Sequence, residues 1–120
     1  MTVSIEYISG GLFVVQVECV NPEVAAGQKV TLKGPARLLH AWGIMTGAGD
    51  SSDTVQIKKN TTAITDAVDL SAKSDGAFFN FGTFDDAAMD FDDGDYVHID
   101  SADDAICTIT MLFAERQATP

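Results

Sequence analysis

The sequence has 120 residues, of which 46% are apolar, and 18 acidic residues against 7 basic ones give a formal net charge of −11. This charge repels phosphate backbones and anionic lipid headgroups, so neither nucleic acid nor a membrane is an expected partner. A core of this size buries roughly two-thirds of the unfolded surface. We therefore expect residues 1–120 to form a single domain, with an N-terminal arm at residues 1–10 and a C-terminal tail at residues 115–120.

Apolar and polar residues alternate with period two along most of the chain, which predicts about eight short β-strands. The run at residues 37–46 is different, because nearly all of its side chains are apolar. Such a run is typical of a central strand that is covered on both faces. In chain order, the predicted strands lie at residues 13–19, 30–32, 37–46, 55–57, 61–70, 78–81, 96–99 and 105–114.

One short helix is expected between the last strands. Thr83 is followed three residues later by Asp86, a short form of the capping box, and Phe91 lies on the same helical face as Phe84. This pattern predicts one or two helical turns, with Asp85 and Asp86 in the first turn, where the helix dipole favours negative charge.

The predicted elements together indicate an all-β protein, a jelly-roll-like antiparallel sandwich of about eight strands with at most one short helix. An immunoglobulin-like sandwich is the main alternative, but Cys19 and Cys107 are 88 residues apart, which does not suit its cysteine spacing. The residues expected in the core are Phe13, Val15, Val17, Trp42, Ile44, Val55, Ile57, Ile109, Met111 and Phe113.

The two cysteines lie in apolar runs that resemble strands. A free thiol in such a run behaves as a small buried hydrophobe, so we expect Cys19 and Cys107 to be reduced. A bridge between them would require that their strands pair. Two cysteines do not define a disulfide framework.

Nine aspartates lie between Phe84 and Asp104, and the run from Asp90 to Asp95 resembles a calcium loop. It is not an EF-hand, since Gly94 is at the fifth position rather than the sixth and Ser101 is at the twelfth. We expect a solvated acidic loop, with a structural calcium site and a docking surface as alternatives. The candidate calcium ligands are Asp90, Asp92, Asp93 and Asp95.

No catalytic arrangement is evident in the sequence. His40 and His98 are the only histidines, and each lies in a predicted strand without a nucleophile nearby in sequence. The glycines Gly47 and Gly49 lack the lysine and the helix of a phosphate-binding loop. Trp42 is expected in the core rather than on a sugar-binding surface. We therefore expect no enzyme activity and no cofactor.

One resemblance comes from the stretch at residues 39–49, Leu-His-Ala-Trp-Gly-Ile-Met-Thr-Gly-Ala-Gly, continued by residues 53–60 and 64–67. This pattern of strands, turns and small residues is similar to head decoration or cement proteins of tailed bacteriophages. The resemblance extends over most of residues 38–113 and includes no catalytic motif. It implies a jelly-roll or related β-sandwich that attaches to the outer capsid shell as a dimer or trimer and reinforces it.

The resemblance thus implies a structural virion protein that binds major capsid subunits through extended termini and loops. Its expected location is the capsid exterior, after synthesis in the host cytoplasm, since the sequence has no signal peptide and no apolar run of the roughly 20 residues that span a bilayer. Because symmetric homo-oligomers are common, we expect one here, with a trimer slightly favoured over a dimer. The alternatives are a carbohydrate-binding sandwich on the virion surface and a small calcium-stabilised tail or baseplate component.

Overall fold

The computed structural model describes residues 2–8, 10–19, 28–50, 53–102 and 106–116. In these ranges the chain forms 11 β-strands and one 3-10 helical turn at Asp86–Ala88. No helix in the described ranges has the length and hydrophobicity needed to cross a membrane. The strands are β1 (Thr2–Tyr7), β2 (Leu12–Cys19), β3 (Gln28–Thr31), β4 (Ala36–Met45), β5 (Thr54–Lys59), β6 (Thr62–Ala63), β7 (Val68–Asp69), β8 (Phe78–Asn80), β9 (Asp90–Phe91), β10 (Tyr96–Ala102) and β11 (Cys107–Glu115).

The strands form two antiparallel sheets. Sheet A has the order β1-β2-β11-β4-β8, with β9 also pairing with β4, and sheet B has the order β3-β10-β5-β6, with β7 also pairing with β5. The pairing is nested: β2 pairs with β11, β3 with β10, β4 with β8 and β9, and β5 with β6 and β7. Strands β2 to β5 alternate between the sheets, so the chain is a long hairpin rolled into a jelly roll. The predicted all-β sandwich is confirmed.

The core lies between the sheets and follows the period-two pattern of the strands. In β2 and β11, Val17 lies opposite Ile109 and Phe13 opposite Phe113, with the two phenylalanine rings stacked 5.2 Å apart. Sheet B contributes the buried side chains of its central strands β5 and β10. Eight of the ten predicted core residues are buried, namely Phe13, Val15, Val17, Val55, Ile57, Ile109, Met111 and Phe113.

The other two predicted core residues lie on β4, and the prediction was wrong for Ile44. Trp42 is half-buried and Ile44 is 44% exposed. β4 is central within sheet A, between β11 and β8, but only one of its faces is covered. A continuous apolar run is equally compatible with two covered faces and with one covered face plus an exposed apolar one.

A β-bulge in β4 adds to the exposed apolar surface. Leu112 of β11 lies opposite His40, whereas the next residue, Phe113, lies opposite Leu38. The additional residue on β4 is Leu39, and both it and His40 are exposed. A bulge of this kind shifts the alternation of side chains by one residue. The period-two pattern of β4 is therefore interrupted at its centre.

Gly43 has a packing role in the same strand. It lies opposite Phe79 of β8, and a Cβ atom at this position would overlap the Phe79 ring. Glycine in a strand interior often marks such a close approach. Gly43 thus allows Phe79, which is 3% exposed, to pack across β4 into the core.

A single short helical turn is present, as predicted, but it begins later than the sequence indicates. Its N-cap is Asp85, whose side chain accepts a hydrogen bond from the backbone N–H of Ala87, and not Thr83. The turn ends after Ala88 because Asp90 and Phe91 pair with β4 as strand β9. Phe91 is consequently a buried strand residue rather than part of a helical face.

The two terminal segments continue sheet A in the described residues. Residues 2–7, which the sequence assigns to an arm, pair with β2 from Thr2 opposite Glu18 to Tyr7 opposite Phe13. Gly10 and Gly11, with φ near +80°, form the connection to β2 in a conformation that glycine adopts readily. At the other end, Glu115 completes β11, and residues 117–120 lie outside the described ranges.

Candidate functional site

The outer side of sheet A contains a continuous group of exposed or half-exposed apolar side chains. We define this group as the apolar face. Its most exposed members are Phe78 (57%), Ile44 (44%) and Leu39 (42%). Its members include no Asp, Glu, Lys or Arg, although Arg37 of β4 and Glu18 of β2 lie on the same outer side of sheet A. The apolar face consists of Leu39, Trp42, Ile44, Phe78 and Leu112, and the rings of His40 and Phe84 border it, with Phe84 also packing against the core.

Strand register places these side chains together. Ile44 lies directly opposite Phe78, and Trp42 lies opposite Asn80 on one side and Thr110 on the other. Three rings continue along the face, since the His40 ring is 5.6 Å from Trp42 and 5.8 Å from Phe84. The neighbouring outward positions on β11 are Thr108 and Thr110, which are also uncharged.

Such a surface is suited to binding another apolar surface. Large exposed apolar patches on soluble proteins mark interaction sites, and the centres of interfaces are enriched in aromatic residues and depleted in charge. Each square ångström of apolar area that a partner covers contributes roughly 25 cal/mol. The apolar face is therefore a candidate binding surface. In residues 39–45, both the odd-numbered and the even-numbered positions are mostly hydrophobic. This pattern was the sequence signal for the apolar face.

A second apolar strip lies along β1. Val3, Ile5 and Tyr7 are on the same side of sheet A as the core residues of β2, yet they are 36%, 37% and 48% exposed. Sheet B ends with β3, which pairs only with β10 among the described strands, and it leaves these β1 side chains uncovered. The outer edge of β1 likewise has no partner strand in the described residues. Exposed edge strands are sites of pairing between chains.

The acidic segment is arranged very differently. We call residues 85–95 the acidic end of the sandwich. Arg37 of β4 forms ion pairs with Asp86 and with Asp90, the latter over 3.1 Å from Nη1 to Oδ1. Both carboxylates raise the pKa of Arg37, and the hydrogen bond to Asp86 has the larger effect. From the end of β11, Arg116 reaches Asp92 over 3.1 Å and Asp90 over 3.7 Å.

Asp95 is held by one donor in its own turn and by one donor in another segment. Its carboxylate accepts a hydrogen bond from the backbone N–H of Asp92 (2.9 Å) and another from the side-chain amide of Asn60 (2.8 Å). These two hydrogen bonds, the first having the larger effect, lower the pKa of Asp95. Asn60 also accepts a hydrogen bond from the N–H of Tyr96, so it ties the acidic turn to the β5–β6 turn.

The candidate calcium ligands are thus directed toward different partners. Asp90 and Asp92 meet arginines, Asp95 meets amide donors, and Asp93 is exposed. Within the described ranges no group of three or more Asp, Glu, His or Cys side chains has a geometry suited to a metal ion. Asp103 and Asp104, the last of the nine aspartates, lie outside those ranges.

Sheet B has a polar outer side. Lys58 forms an ion pair with Asp100 over 2.6 Å, and the Lys29 ammonium is 5.0 Å from the centre of the Tyr96 ring. His98 lies on this sheet, next to Tyr96, whereas His40 lies on sheet A. The two histidines therefore belong to different surfaces and do not form a common site.

Comparisons of the chain with family models, with curated proteins and with solved structures gave no match. The candidate site is accordingly defined by its geometry: an uncharged apolar face on sheet A and an open edge at β1.

Proposed function

We propose that this protein is a structural virion protein that decorates and stabilises the outer surface of a phage capsid by binding major capsid subunits. The observation that supports this proposal most strongly is the apolar face. Phe78 and Ile44 are 57% and 44% exposed on paired strands of sheet A, in a chain of net charge −11. An apolar surface of this kind suits a protein whose role is to adhere.

The apolar face also changes the expected mode of attachment. The sequence favoured extended termini and loops as the capsid contact, whereas the exposed side chains favour the outer side of sheet A. A face on regular strands changes shape little on binding, so less conformational entropy is lost than with a loop. A protein that binds only the assembled shell stabilises that shell by mass action. Reinforcement of the capsid requires no chemical step.

Homo-oligomerisation is part of the same proposal, with a trimer slightly favoured over a dimer. We expect subunits to meet along β1, where Ile5 and Tyr7 are exposed beside an open strand edge. A trimer would place β1 against a different surface of the next subunit, whereas β1 paired with its own copy would give a dimer. Light scattering should give the mass of an oligomer, and Ile5→Lys should shift it toward the monomer.

Binding to capsid shells tests the proposed function. Shells assembled from the major capsid protein encoded with this chain would be mixed with the wild type, with Phe78→Asp, and with Thr31→Asp as a matched control. Thr31 is exposed on the edge strand of sheet B. Burial of an unpaired carboxylate costs several kcal/mol, so Phe78→Asp should weaken cosedimentation at least about 100-fold.

This result can be interpreted only if the control variant binds normally and both variants are folded. Thr31→Asp should bind like the wild type, and circular dichroism should show that both variants are folded. Equal binding by Phe78→Asp and the wild type would show that the apolar face is not the capsid-binding surface. Failure of the wild type to bind shells would refute capsid decoration itself.

A carbohydrate-binding sandwich is the second candidate, and the row of rings at His40, Trp42 and Phe84 favours it. Aromatic rings that are partly exposed on a sheet can stack against the apolar faces of sugars. A glycan array distinguishes the two functions. Selective binding of one glycan, lost in Trp42→Ala, together with no binding to shells, would support the carbohydrate function instead.

A further inference from the structure

Cys19 and Cys107 lie directly opposite each other in sheet A. They are partners in the antiparallel pairing of β2 with β11, and both are free and fully buried. Each occupies a core-facing position of its strand, so both side chains point to the same side of the sheet. The two cysteines are 88 positions apart in sequence, and the pairing of β2 with β11 brings them together.

The Cα spacing at this pair falls within the disulfide range. Glu115, eight residues beyond Cys107 on the same strand, donates its backbone N–H to the carbonyl of Gly11 across the same pair of strands. Because the direction of N–H groups alternates along a strand, Cys107 also directs its N–H toward β2, which makes the cysteines a hydrogen-bonded pair. The Cα atoms of such pairs are about 5.5 Å apart, within the range that disulfides occupy, but their Cβ atoms lie near the upper end of about 4.5–5.5 Å. Since a disulfide requires a Cβ separation of about 3.5–4.5 Å, the two strands must approach each other locally when the bridge forms.

The two thiols already interact. A hydrogen bond between them lowers the pKa of Cys19, and the same interaction, together with burial, raises the pKa of Cys107. The reactive species in disulfide exchange is the thiolate. The register thus places the two thiols side by side in the core, and their interaction favours the thiolate of Cys19.

We propose that Cys19 and Cys107 are a modification site that closes to a cross-strand disulfide on reaction with a low-molecular-weight disulfide such as oxidised glutathione. One protein thiolate attacks a glutathione sulfur, which forms a mixed disulfide and releases one glutathione. The second protein thiolate then attacks the protein sulfur of that mixed disulfide and releases the second glutathione. Two protein thiols are oxidised, one glutathione disulfide is reduced, and the two protons pass to the glutathione thiols.

The position of the pair provides a route for the oxidant. Cys19 is the last residue of β2 and Cys107 is the first residue of β11, so the pair lies at an end of the sheet. Strand ends open locally far more often than a whole domain unfolds. The bridge would join β2 to β11 and close a long loop, which constrains the unfolded chain.

Oxidation of the folded protein tests this proposal. The wild type, Cys19→Ala and Cys107→Ala would each be incubated with oxidised glutathione under native conditions, quenched with acid, and examined by intact mass and non-reducing electrophoresis. The wild type should lose two hydrogen atoms, run as a monomer and melt roughly 5–15 °C higher than its reduced form. Neither alanine variant should show a melting shift with oxidant, and a reductant should reverse the shift in the wild type.

Three results would overturn the proposal. They are retention of both free thiols by the wild type, accumulation of a glutathione adduct that does not resolve to the bridge, and a disulfide-linked dimer in place of the internal bridge. Alanine rather than serine is chosen for the variants because a buried hydroxyl without a partner would itself destabilise the fold. Neither the proposal nor its test depends on capsid binding.

Discussion

The apolar face and the acidic end each concentrate one kind of side chain at the surface, but they differ in how far the chain itself satisfies them. At the acidic end, carboxylates meet donors from distant strands: Asp90 and Asp92 meet Arg116, and Asp95 meets Asn60. On the apolar face, Ile44 and Phe78 lie opposite each other on paired strands, and both side chains remain about half exposed. The polar region is internally paired, and the apolar region is left uncovered.

This difference indicates at which of the two surfaces a partner would gain more binding free energy. A partner at the acidic end would have to displace existing hydrogen bonds and ion pairs or compete with water, and exposed ion pairs contribute only about 0–1 kcal/mol each. A partner at the apolar face would displace only water from apolar area, which is favourable in proportion to the area covered. The density of aspartates is the more conspicuous feature of the sequence, but the apolar face is the better binding surface.

The largest expected effect is a difference in the loss of stability between substitutions on the two sides of sheet A. Ile109→Ala removes a fully buried side chain and should lower the free energy of unfolding by about 2–5 kcal/mol, measured by urea denaturation. Ile44→Ala makes the same change on the apolar face, where the side chain is 44% exposed. This variant should lose no more than about 1 kcal/mol, because little transfer energy is lost and no cavity forms.

Equal losses in the two variants would contradict the comparison. They would mean that Ile44 is covered in the isolated protein, either by the chain itself or by a second copy. Repeating the measurement over a range of protein concentrations separates these cases, because the stability of an oligomer depends on concentration.

The sequence predicted the interior of this fold better than its surface. Alternation identified β2 and β11, since one side of each strand is buried and the other is not. It failed on β4, where both sides are apolar and where the bulge at Leu39 and His40 shifts the alternation. Whether another element covers a face is decided by the arrangement of sheets, which a local pattern does not contain.

The partners of the aspartates could not be predicted for a related reason. Arg37 and Asp86 are 49 residues apart, Asn60 and Asp95 are 35 apart, and Arg116 and Asp92 are 24 apart. The nested strand pairing brings these segments to one end of the sandwich. From spacing alone, the run at residues 90–95 was compatible with water, a cation or a docking partner, and only the fold supplies the arginines.

A smaller effect is expected at the acidic end, where Asp95→Ala removes two hydrogen bonds and should lower the free energy of unfolding by about 1 kcal/mol at neutral pH. The folded protein lowers the pKa of Asp95, so its stabilisation is present above the ordinary carboxyl pKa. It is lost as pH falls through the lower, folded pKa. The difference between wild type and variant should therefore be constant from about pH 5 to 8 and shrink below about pH 4.

Asp93→Ala is the matched control for this titration. Asp93 belongs to the same turn but is exposed, and no hydrogen bond to its carboxylate is among the described contacts of the turn. Its substitution should change stability by less than about 0.5 kcal/mol at any pH in this range. A gap between wild type and Asp95→Ala that widened on acidification would contradict the role assigned to Asp95.

The smallest expected effect is that of removing divalent cations. If arginines and amides satisfy the acidic end, addition of a chelator should leave the melting temperature of the purified protein unchanged within error, and added calcium should not raise it. A ligand that binds only the folded state stabilises it by RT ln(1 + c/Kd), where c is the ligand concentration, so thermal denaturation detects even a site of modest affinity once c exceeds Kd. Asp92→Ala extends the test, since it removes one candidate ligand and one partner of Arg116.

A large loss of stability with chelator that calcium restores, and that Asp92→Ala abolishes, would show that the acidic end is incomplete without a cation. The contrast with the apolar face would then no longer hold, and the calcium-stabilised tail or baseplate component would become the better interpretation.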